Sequence, residues 1–372
     1  MILSNSLYVN GQSSRRRPKK WLIFFSIISL LIAGTAAGAF IYISSALSPV
    51  NPKNKDIVEV MIPAGSSVGA IARELEKEGV IHDERIFRYY VKWKNEQGFQ
   101  AGNYAFSQTM NMKEIIKSLQ SGESAQKPKF RLSIPEGSQL WQIAETIAAN
   151  TSYTEEEVLK KMSDKQFIKT LSQKYPDLIT DEVLAQNIQY PLEGYFYPAT
   201  YSFYTEKVSI EDILDKMVGK TNDVIQVYKP LMKDQNVTSH KLLTMASLIE
   251  EEATQKTDRE KIASVFYNRL EIGMPLQTDP TVLYALGKHK DRVYYKDLEV
   301  DSPYNTYKVK GIPPGPIANA GEMSIIAALK PAETDYLFFL ATSTGEVIFT
   351  ETLEEHNQQK AIHITKKSNS SS

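Results

Sequence analysis

Residues 57–75, IVEVMIPAGSSVGAIAREL, form the stretch that decides how the chain begins to fold after its apolar N-terminal segment. The stretch opens with six residues rich in β-branched and apolar side chains, which favour a short strand. Pro63 and Gly65 then turn the chain, and Ser66 or Ser67 can cap a helix whose apolar residues have helical spacing. The sequence therefore predicts a strand–turn–helix unit.

The same pattern occurs again 72 residues further along the chain, where IPEGS at 134–138 repeats IPAGS at 62–66. The apolar positions that follow each turn also match. A structural repeat would explain this match, and so would shared turn chemistry without duplication. Either explanation predicts a second strand–turn–helix unit over residues 131–150.

The domain organisation follows from length and from a polar break. A chain of 372 residues has room for roughly two domains at about 150 residues each. The polar segment SGESAQKPK at 121–129 predicts a boundary between a small βα module, 57–126, and a larger domain, 127–362. Beyond the break, helical periodicity dominates and a hairpin is predicted near the end. We therefore expect an α+β protein, rich in helix in its second half, with a disordered tail over 363–372.

The charge of the chain is unevenly distributed. The whole chain contains 43 Lys and Arg residues and 44 Asp and Glu residues, but residues 1–20 carry five basic groups and no acid. Directly afterwards, Trp21–Ile43 contains no charge, and its 23 residues make about 35 Å of helix, enough to cross a bilayer core of roughly 30 Å. The sequence predicts a basic tail over 1–20, a transmembrane helix over 21–46 and a linker over 47–56.

The basic flank orients this helix with its N-terminus in the cytoplasm and the rest of the chain outside, by the positive-inside rule. A cleaved signal peptide is the alternative, because Ala37-Gly38-Ala39 is a small-residue triplet that a peptidase could cut. The apolar run continues through Phe40–Ile43, however, and exceeds the about 7–15 residues of a signal peptide's apolar region. We therefore prefer an uncleaved, single-pass anchor in the cell membrane.

Composition excludes several kinds of function. The chain has no cysteine, which excludes disulfide scaffolds, iron–sulfur sites and thiol catalysis. Its five histidines lack metal-ligand spacing, and no phosphate-binding loop or Ser–His hydrolase motif is present. Balanced charge argues against nucleic acid as a partner. We therefore expect no metal, no cofactor and no nucleic acid, and carboxylate chemistry remains.

Three consecutive glutamates in MASLIEEEA, residues 245–253, are the carboxylates that stand out. On a helix with Leu242 at zero, the apolar residues of this segment form one buried stripe. Glu250 falls at about 80° and Glu252 at about 280°, on the two edges of the stripe, whereas Glu251 falls at about 180° and is expected to face solvent. An edge position can partly desolvate a carboxyl and raise its pKa toward that of a general acid. This geometry does not choose between the two edges, and a solvated acidic helix end is the alternative.

Further segments are candidates for a binding cleft. EGYFYPATY, residues 193–201, places four aromatic residues in seven positions, which fits either a core strand or a wall that stacks sugar rings. The segments around 276–280, 304–307 and 311–317 supply amide and hydroxyl groups on a Pro/Gly-rich framework, as a polar ligand wall or an ordinary loop would. Thr278 is also expected to cap the helix that follows it.

Taken together and in order, these segments resemble the MltG (YceG-like) family of endolytic murein transglycosylases, over about residues 57–360. The motifs that carry the resemblance are EGYFYPATY (193–201), MASLIEEEA (245–253), ASVFYNRLEIGMPLQTDPTVLYALG (263–287), SPYNTY (302–307) and GIPPGPI (311–317). The resemblance implies a membrane-anchored enzyme with a LysM-like module before a helix-rich, YceG-like catalytic domain.

The resemblance also implies an activity and its residues. The implied enzyme is a lytic transglycosylase, a carbon–oxygen lyase that cleaves the MurNAc-β-1,4-GlcNAc bond of nascent strands without water, leaves 1,6-anhydroMurNAc ends and terminates strand elongation. In the family pattern, the catalytic glutamate is the last acid of an E-x-E pair, here Glu252, with Glu250 as a supporting or structural acid. The implied substrate-binding residues are Glu193, Tyr197, Glu250, Gln277, Thr278, Asn305 and Thr306.

Two other functions stay open at this point. A non-catalytic scaffold could use the βα modules to hold glycan near the cell-wall synthesis machinery, and a hydrolytic muramidase could use the same site. The implied partners are peptidoglycan strands and the membrane, and the resemblance adds peptidoglycan synthases and elongation or division proteins as candidates.

Overall fold

A computed structural model describes residues 19–54, 56–123, 127–253, 258–287, 293–342 and 345–365. These residues form two compact units, the first ending at Lys127 and the second beginning at Pro128. Helices dominate, and the strands of the described residues pair into three two-stranded antiparallel sheets. The molecule is a helix-rich mixture of helices and small sheets, as the sequence predicts, while the LysM-like character of the first unit stays a prediction.

The elements are numbered in chain order. The first unit contains α1 (Lys19–Leu47), β1 (Ile57–Ile62), α2 (Val68–Lys77), α3 (Glu84–Lys94), β2 (Gly102–Ser107) and α4 (Met112–Ser121). The second unit contains β3 (Phe130–Ser133), α5 (Leu140–Asn150), α6 (Glu155–Met162), α7 (Lys165–Lys174), β4 (Thr200–Phe203), α8 (Ile210–Asp234), α9 (Ser239–Glu252), α10 (Arg259–Glu271), α11 (Asp279–Leu286), α12 (Glu322–Leu329), β5 (Phe338–Ala341), β6 (Val347–Thr350) and α13 (Leu353–Lys360). Short 3₁₀ segments lie at Asp181–Leu184 and Asp297–Glu299.

The strand–turn–helix pattern is present at both predicted places. Gly65 and Gly137 take left-handed φ angles of 77° and 75°, a conformation that glycine adopts without strain. The serine after each glycine donates its hydroxyl to the carbonyl of the turn proline, at 2.8 Å from Ser66 and 2.7 Å from Ser138. Ser67 then caps α2 by accepting a backbone hydrogen bond. The two stretches therefore share turn chemistry as well as sequence.

The first unit has a core of its own beneath the β1–β2 ribbon. The two strands pair antiparallel, with Ile57 opposite Ser107. The apolar faces of α2, α3 and α4 bury Leu75, Phe87 and Leu119 completely. Burial of each such side chain contributes about 1.5–3 kcal/mol, so the small unit has a real hydrophobic driving force.

Helix α1 contains the segment, Phe24–Leu47, that is long and apolar enough to cross a membrane, and no other helix among the described residues qualifies. Its described side chains are exposed over most of its length. Its C-terminal end contacts the rest of the first unit, where Ala46 is buried and the Tyr42 hydroxyl donates to the Asp83 carboxylate at 2.6 Å. The helix begins two residues before the predicted span and ends one residue after it.

The second unit is built around α9. Residues 242–250 of this helix are buried on every side, by packing against α10, α11 and α12. The sequence predicts a single buried stripe along α9, but the buried surface of the helix is wider than that stripe. Thr244 and Ser247, which lie outside it, are buried as well. This burial places the C-terminal turn of α9, with its three glutamates, at the edge of the larger core.

The C-terminal part contains the predicted hairpin. Strand β5 pairs with β6, Phe338 lying opposite Thr350, and the turn residues 343–344 lie outside the described residues. Residues 363–365, assigned to the disordered tail from the sequence, instead complete a π-helical turn, Ala361–Thr365. The rest of that tail, 366–372, and residues 1–18 of the basic N-terminal tail lie outside the described residues.

Candidate active site

The three glutamates occupy the last turn of α9, which ends at Glu252 because Ala253 takes an extended conformation. The C-terminal end of a helix carries a partial negative charge and carbonyls without helical partners. A carboxylate at this end of a helix therefore gains nothing from the helix dipole, and its charged form depends on its side-chain contacts. Different contacts then distinguish the three acids.

Glu252 faces the start of α11, where its carboxylate accepts a short hydrogen bond from the Thr278 hydroxyl. Thr278 is the N-cap residue of α11, as the sequence predicts, but its hydroxyl donates to Glu252 and makes no capping hydrogen bond. Its backbone amide donates to the Thr306 hydroxyl oxygen at 3.1 Å, and the Thr281 hydroxyl lies 2.8 Å from that oxygen. These buried threonines hold Thr278 in place beneath the carboxylate.

The surroundings of Glu252 adjust its acidity. Burial raises the pKa of Glu252 to about 7, the Thr278 hydrogen bond and the Arg269 charge oppose the rise, and the Asp279 charge adds to it. With a pKa of about 7, much of Glu252 carries a proton near neutral pH. Such a group can give a proton to a leaving oxygen and take one back afterwards.

Three neighbours of Glu252 are not among the predicted site residues, although two of them lie in the candidate segments 276–280 and 304–307. Tyr307 donates its hydroxyl to the Asp279 carboxylate at 2.6 Å. The Arg269 guanidinium is buried and donates to two backbone carbonyls, at 2.6 Å each. Asp279 and Tyr307 each follow a predicted site threonine directly, which is the signal that could have identified them. Arg269 resembles an ordinary helix cation in sequence, and only its burial distinguishes it.

Glu250 lies on the other edge of α9, and both oxygens of its carboxylate have partners. Its carboxylate pairs with the Arg259 guanidinium at 3.2 Å and accepts the Gly321 backbone amide at 2.9 Å. The Glu250 side chain is 6% exposed and the Arg259 side chain 18% exposed. These contacts make Glu250 a structural acid that ties the end of α9 to α10 and to the start of α12.

Glu251 does not face solvent, contrary to the expectation from helix geometry. It is partly buried against the turn at Gly137, where one of its carboxylate oxygens lies 3.0 Å from the position that a Cβ would take. Burial raises the pKa of Glu251 to about 7, and the charges of Glu250 and Glu252 add to the rise. A helical projection of α9 alone could not predict this, because the covering turn comes from a distant part of the chain.

Glu193 is a buried acid next to this turn. It is 2% exposed, and its carboxylate accepts the Leu140 amide at the start of α5 at 3.2 Å. Burial raises the pKa of Glu193 well above its usual value, and the charge of Glu251 adds to the rise. The structure therefore places Glu193 behind the site, where it supports the start of α5, and not on an exposed surface.

The aromatic run at 193–201 is mainly core. Tyr195 and Phe196 are completely buried. Tyr197 is half-buried, and burial raises the pKa of Tyr197 to about 12, with the charges of nearby acids that include Glu250 adding to the rise. Within this run, Tyr197 is the predicted site residue that can offer an aromatic face, and it lies on the Glu250 side of the helix end.

The remaining predicted residues divide between the site and its support. Gln277 is exposed next to Thr278, and its φ of 49° is a left-handed conformation of the kind that concentrates at functional sites. Its backbone amide donates to the Thr306 backbone carbonyl at 3.1 Å. Asn305 is completely buried, and its amide nitrogen donates to two carbonyls of the neighbouring loop at 2.8 Å each. Asn305 therefore holds that loop in place.

The Pro/Gly loop at 311–317 packs against the core and presents little of its surface to a ligand. Its Pro314 carbonyl accepts a hydrogen bond from His240 Nε2 at 2.7 Å. The other ring nitrogen, Nδ1, lies 2.8 Å from the Tyr195 hydroxyl. This buried chain of hydrogen bonds fixes the loop against α9.

The site as a whole suits acid–base chemistry by one carboxyl group. Glu252, Gln277, Thr278 and Thr306 lie together, whereas Glu193, Glu250 and Asn305 serve as supports. In the described part of the chain, no group of three or more His, Asp and Glu side chains is arranged to hold a metal ion.

Comparison with known proteins identifies the family. The model of the YceG-like family matches residues 60–362, so this chain belongs to the YceG-like family. The chain is 56% identical over 330 residues to an endolytic murein transglycosylase of Bacillus subtilis, which covers 89% of this chain and 91% of that protein. It is 36% identical over 366 residues to the Streptococcus pneumoniae R6 protein of the same name, covering 94% of this chain and 66% of that protein.

A solved structure gives the same result for the fold. A crystal structure from Listeria monocytogenes, described as a yceG-like protein, superposes with a TM-score of 0.61 and 51% sequence identity. The match covers 82% of this chain and 100% of that one. The resemblance noted in the sequence is therefore confirmed.

Proposed function

We propose that this protein is an endolytic murein transglycosylase, which cuts peptidoglycan glycan strands internally with Glu252 as its acid and base. The observation that carries the proposal is the partly buried Glu252 carboxyl held by the Thr278 hydroxyl at the end of α9. The names of relatives that are 36% to 56% identical support the same substrate class.

One residue can serve both halves of the reaction. Protonated Glu252 gives its proton to the glycosidic oxygen as the bond between C1 of MurNAc and that oxygen breaks. The Glu252 carboxylate then takes the proton of the MurNAc C6 hydroxyl, whose oxygen bonds to C1 and closes the 1,6-anhydro ring. Glu252 ends protonated and no water is consumed. A pKa of about 7 suits a group that acts in both directions.

A hydrolytic muramidase is the second candidate for this site. The contacts of the surrounding acids argue against this candidate. Most hydrolytic glycosidases need a second carboxylate on the other side of the bond. Glu250 is held in an ion pair, and Glu251 is turned toward the loop at Gly137. Asp279 is bonded by a tyrosine hydroxyl. These engagements favour the single-acid reaction.

The location of the enzyme belongs to the same proposal. Helix α1 would anchor the chain in the cell membrane with the basic N-terminus in the cytoplasm, which places both units on the side where glycan strands are assembled. Cleavage of strands as they emerge would make the enzyme a terminase of strand elongation. Peptidoglycan synthases and elongation or division proteins would then be its neighbours.

Product analysis tests the reaction type. The detergent-solubilised full chain is incubated with uncrosslinked glycan strands, and the fragments are separated by chromatography and weighed by mass spectrometry. We expect internal fragments with 1,6-anhydroMurNAc ends, each about 18 Da lighter than the hydrolytic product because no water is added. Reducing MurNAc ends would establish a muramidase, and a folded protein that leaves the strands intact would establish a scaffold.

Thr278→Val should change the pH dependence of cleavage. The Thr278 hydroxyl stabilises the charged form of Glu252, so its removal raises the pKa of Glu252 further. Because the protonated acid begins the reaction, the alkaline limb of the pH–rate profile moves to higher pH, by on the order of one unit. Thr278→Ser keeps the hydroxyl and should keep the original limb. A limb that stays in place or moves to lower pH in the valine variant would refute the role of Thr278.

A further inference from the structure

The outer side of α3 carries a continuous stripe of cations and aromatic residues. Arg85, Arg88, Tyr89, Lys92 and Trp93 follow at the spacing i, i+3, i+4, i+7 and i+8, which places them on one face of the helix. All five side chains are exposed, Tyr89 to 71% and Trp93 to 75%. We call these five residues the α3 stripe.

The α3 stripe lies outside the hydrophobic core of the first unit. On the opposite side of α3, Phe87 and Val91 are buried in the core of the unit. Among the described residues, Arg85 of the stripe forms an ion pair with Asp83 at 3.5 Å. The Arg85 side chain remains 74% exposed. Large exposed aromatic residues beside cations, on a helix whose inner face is already packed, indicate an external partner.

The position of α3 identifies that partner. Asp83, which caps α3, also accepts the hydrogen bond from Tyr42 near the end of α1. A hydrocarbon core of roughly 30 Å takes about 20 residues of helix, so a core that begins at Trp21, directly after the basic residues, ends near Phe40 and leaves Tyr42 just beyond it. Helix α3 therefore begins beside the point at which α1 would leave the bilayer, at the level of the lipid headgroups.

We propose that the α3 stripe binds anionic phospholipid headgroups at the membrane surface and holds the first unit against the bilayer. The proposal rests on the anchoring of α1 that forms part of the proposed function. Arg and Lys side chains are attracted to the phosphodiester charge. Trp and Tyr favour the headgroup level because each has an apolar ring with a polar group. The stripe combines both kinds of side chain without an acidic residue.

Tryptophan quenching in vesicles tests this contact. The chain has three tryptophans, so the full-length W21F/W141F variant leaves Trp93 as the single reporter. It is reconstituted into vesicles of phosphatidylcholine alone, or of equal parts phosphatidylcholine and phosphatidylglycerol, with a headgroup spin label as quencher. We expect stronger quenching of Trp93 in the anionic vesicles, and a loss of the difference at high salt. Trp141, alone in W21F/W93F, should show no such dependence on lipid charge.

A matched pair of variants tests the cations. R88Q/K92Q in the Trp93 reporter removes two charges from the stripe and should lower the ratio of docked to undocked protein by about 5-fold per residue, roughly 25-fold in all. K113Q/K117Q removes two exposed lysines from α4 of the same unit and should leave the quenching unchanged. Flotation of the vesicles with the protein separately measures the insertion of α1.

Several results would overturn the proposal. Equal quenching of Trp93 in both kinds of vesicle would do so, and so would quenching that survives R88Q/K92Q. A shift of Trp93 emission on adding soluble glycan strands, with no dependence on lipid charge, would assign the stripe to glycan. The proposed function fails by a different measurement, since an inactive enzyme with normal Trp93 quenching would refute only the cleavage.

Discussion

Glu252→Gln is expected to lower the rate of glycan cleavage by about 10²- to 10⁴-fold, the usual contribution of a general acid–base group. Glutamine keeps the shape of the side chain, and its amide oxygen can still accept the hydrogen bond from the Thr278 hydroxyl. It can neither give the proton to the leaving oxygen nor take one from the C6 hydroxyl. The release of anhydro-ended fragments under single-turnover conditions measures the loss.

The same variant should not lose stability. The pKa of Glu252 is raised from 4.5 to about 7, so the folded protein holds this proton at pH values where the unfolded chain has released it. Stability therefore falls as pH rises between these two values, and glutamine removes that fall. The thermal midpoint of Glu252→Gln should equal that of the wild type at pH 4 and be at least as high at pH 8. Lost activity with retained stability separates a chemical role from a structural one.

Glu251→Gln is the matched control for this prediction. The residue is adjacent, undergoes the same change in charge and also has a pKa raised to about 7, but it faces the Gly137 turn and not Thr278. We expect its cleavage rate to stay within a few-fold of the wild type. A wild-type rate for Glu252→Gln, together with an inactive Glu251→Gln or Glu250→Gln, would move the acid to another position of the triple glutamate.

The local structure of this chain could be predicted wherever its determinants are local. The two strand–turn–helix units follow from a proline, a glycine with positive φ and a serine within five residues, and the structure has the same turn bonds at Ser66 and Ser138. The hairpin of β5 and β6 follows in the same way from apolar runs around a short polar turn. These features depend on neighbours in sequence and not on the tertiary fold.

The site was less accessible to sequence reasoning, because its decisive contacts are long-range. Helix geometry placed Glu250 and Glu252 on opposite edges of α9 but could not show that Arg259 engages one and Thr278 the other. It also placed Glu251 in solvent, since the Gly137 turn that covers it is more than a hundred residues away in the sequence. The family resemblance favoured Glu252 without giving a physical reason, and the contacts now supply one.

Arg259→Met is expected to lower the free energy of unfolding by about 3 kcal/mol, because it leaves the Glu250 carboxylate buried without its counter-ion. The Glu250 side chain is 6% exposed, and the guanidinium 3.2 Å away compensates for the loss of hydration. The hydrogen bond from the Gly321 amide to the Glu250 carboxylate remains in this variant. We therefore expect a loss at the lower end of the about 3–5 kcal/mol that breaking a buried ion pair costs. Denaturant unfolding of the full chain in detergent, followed by tryptophan fluorescence, measures the change.

Two further variants make this prediction decisive for the role of Glu250. Lys261→Met breaks a pair of similar length on the same helix, 3.1 Å from Asp258, but its side chains are 41% and 42% exposed, so we expect a cost below about 1 kcal/mol. If Arg259→Met costs no more than this control, the pair is not structural. The double variant E250Q/R259M removes both charges and should recover part of the stability, as a coupled pair does. Because Glu250 then has no proton to transfer, cleavage by the folded double variant would exclude Glu250 as the acid and leave Glu252 in that role.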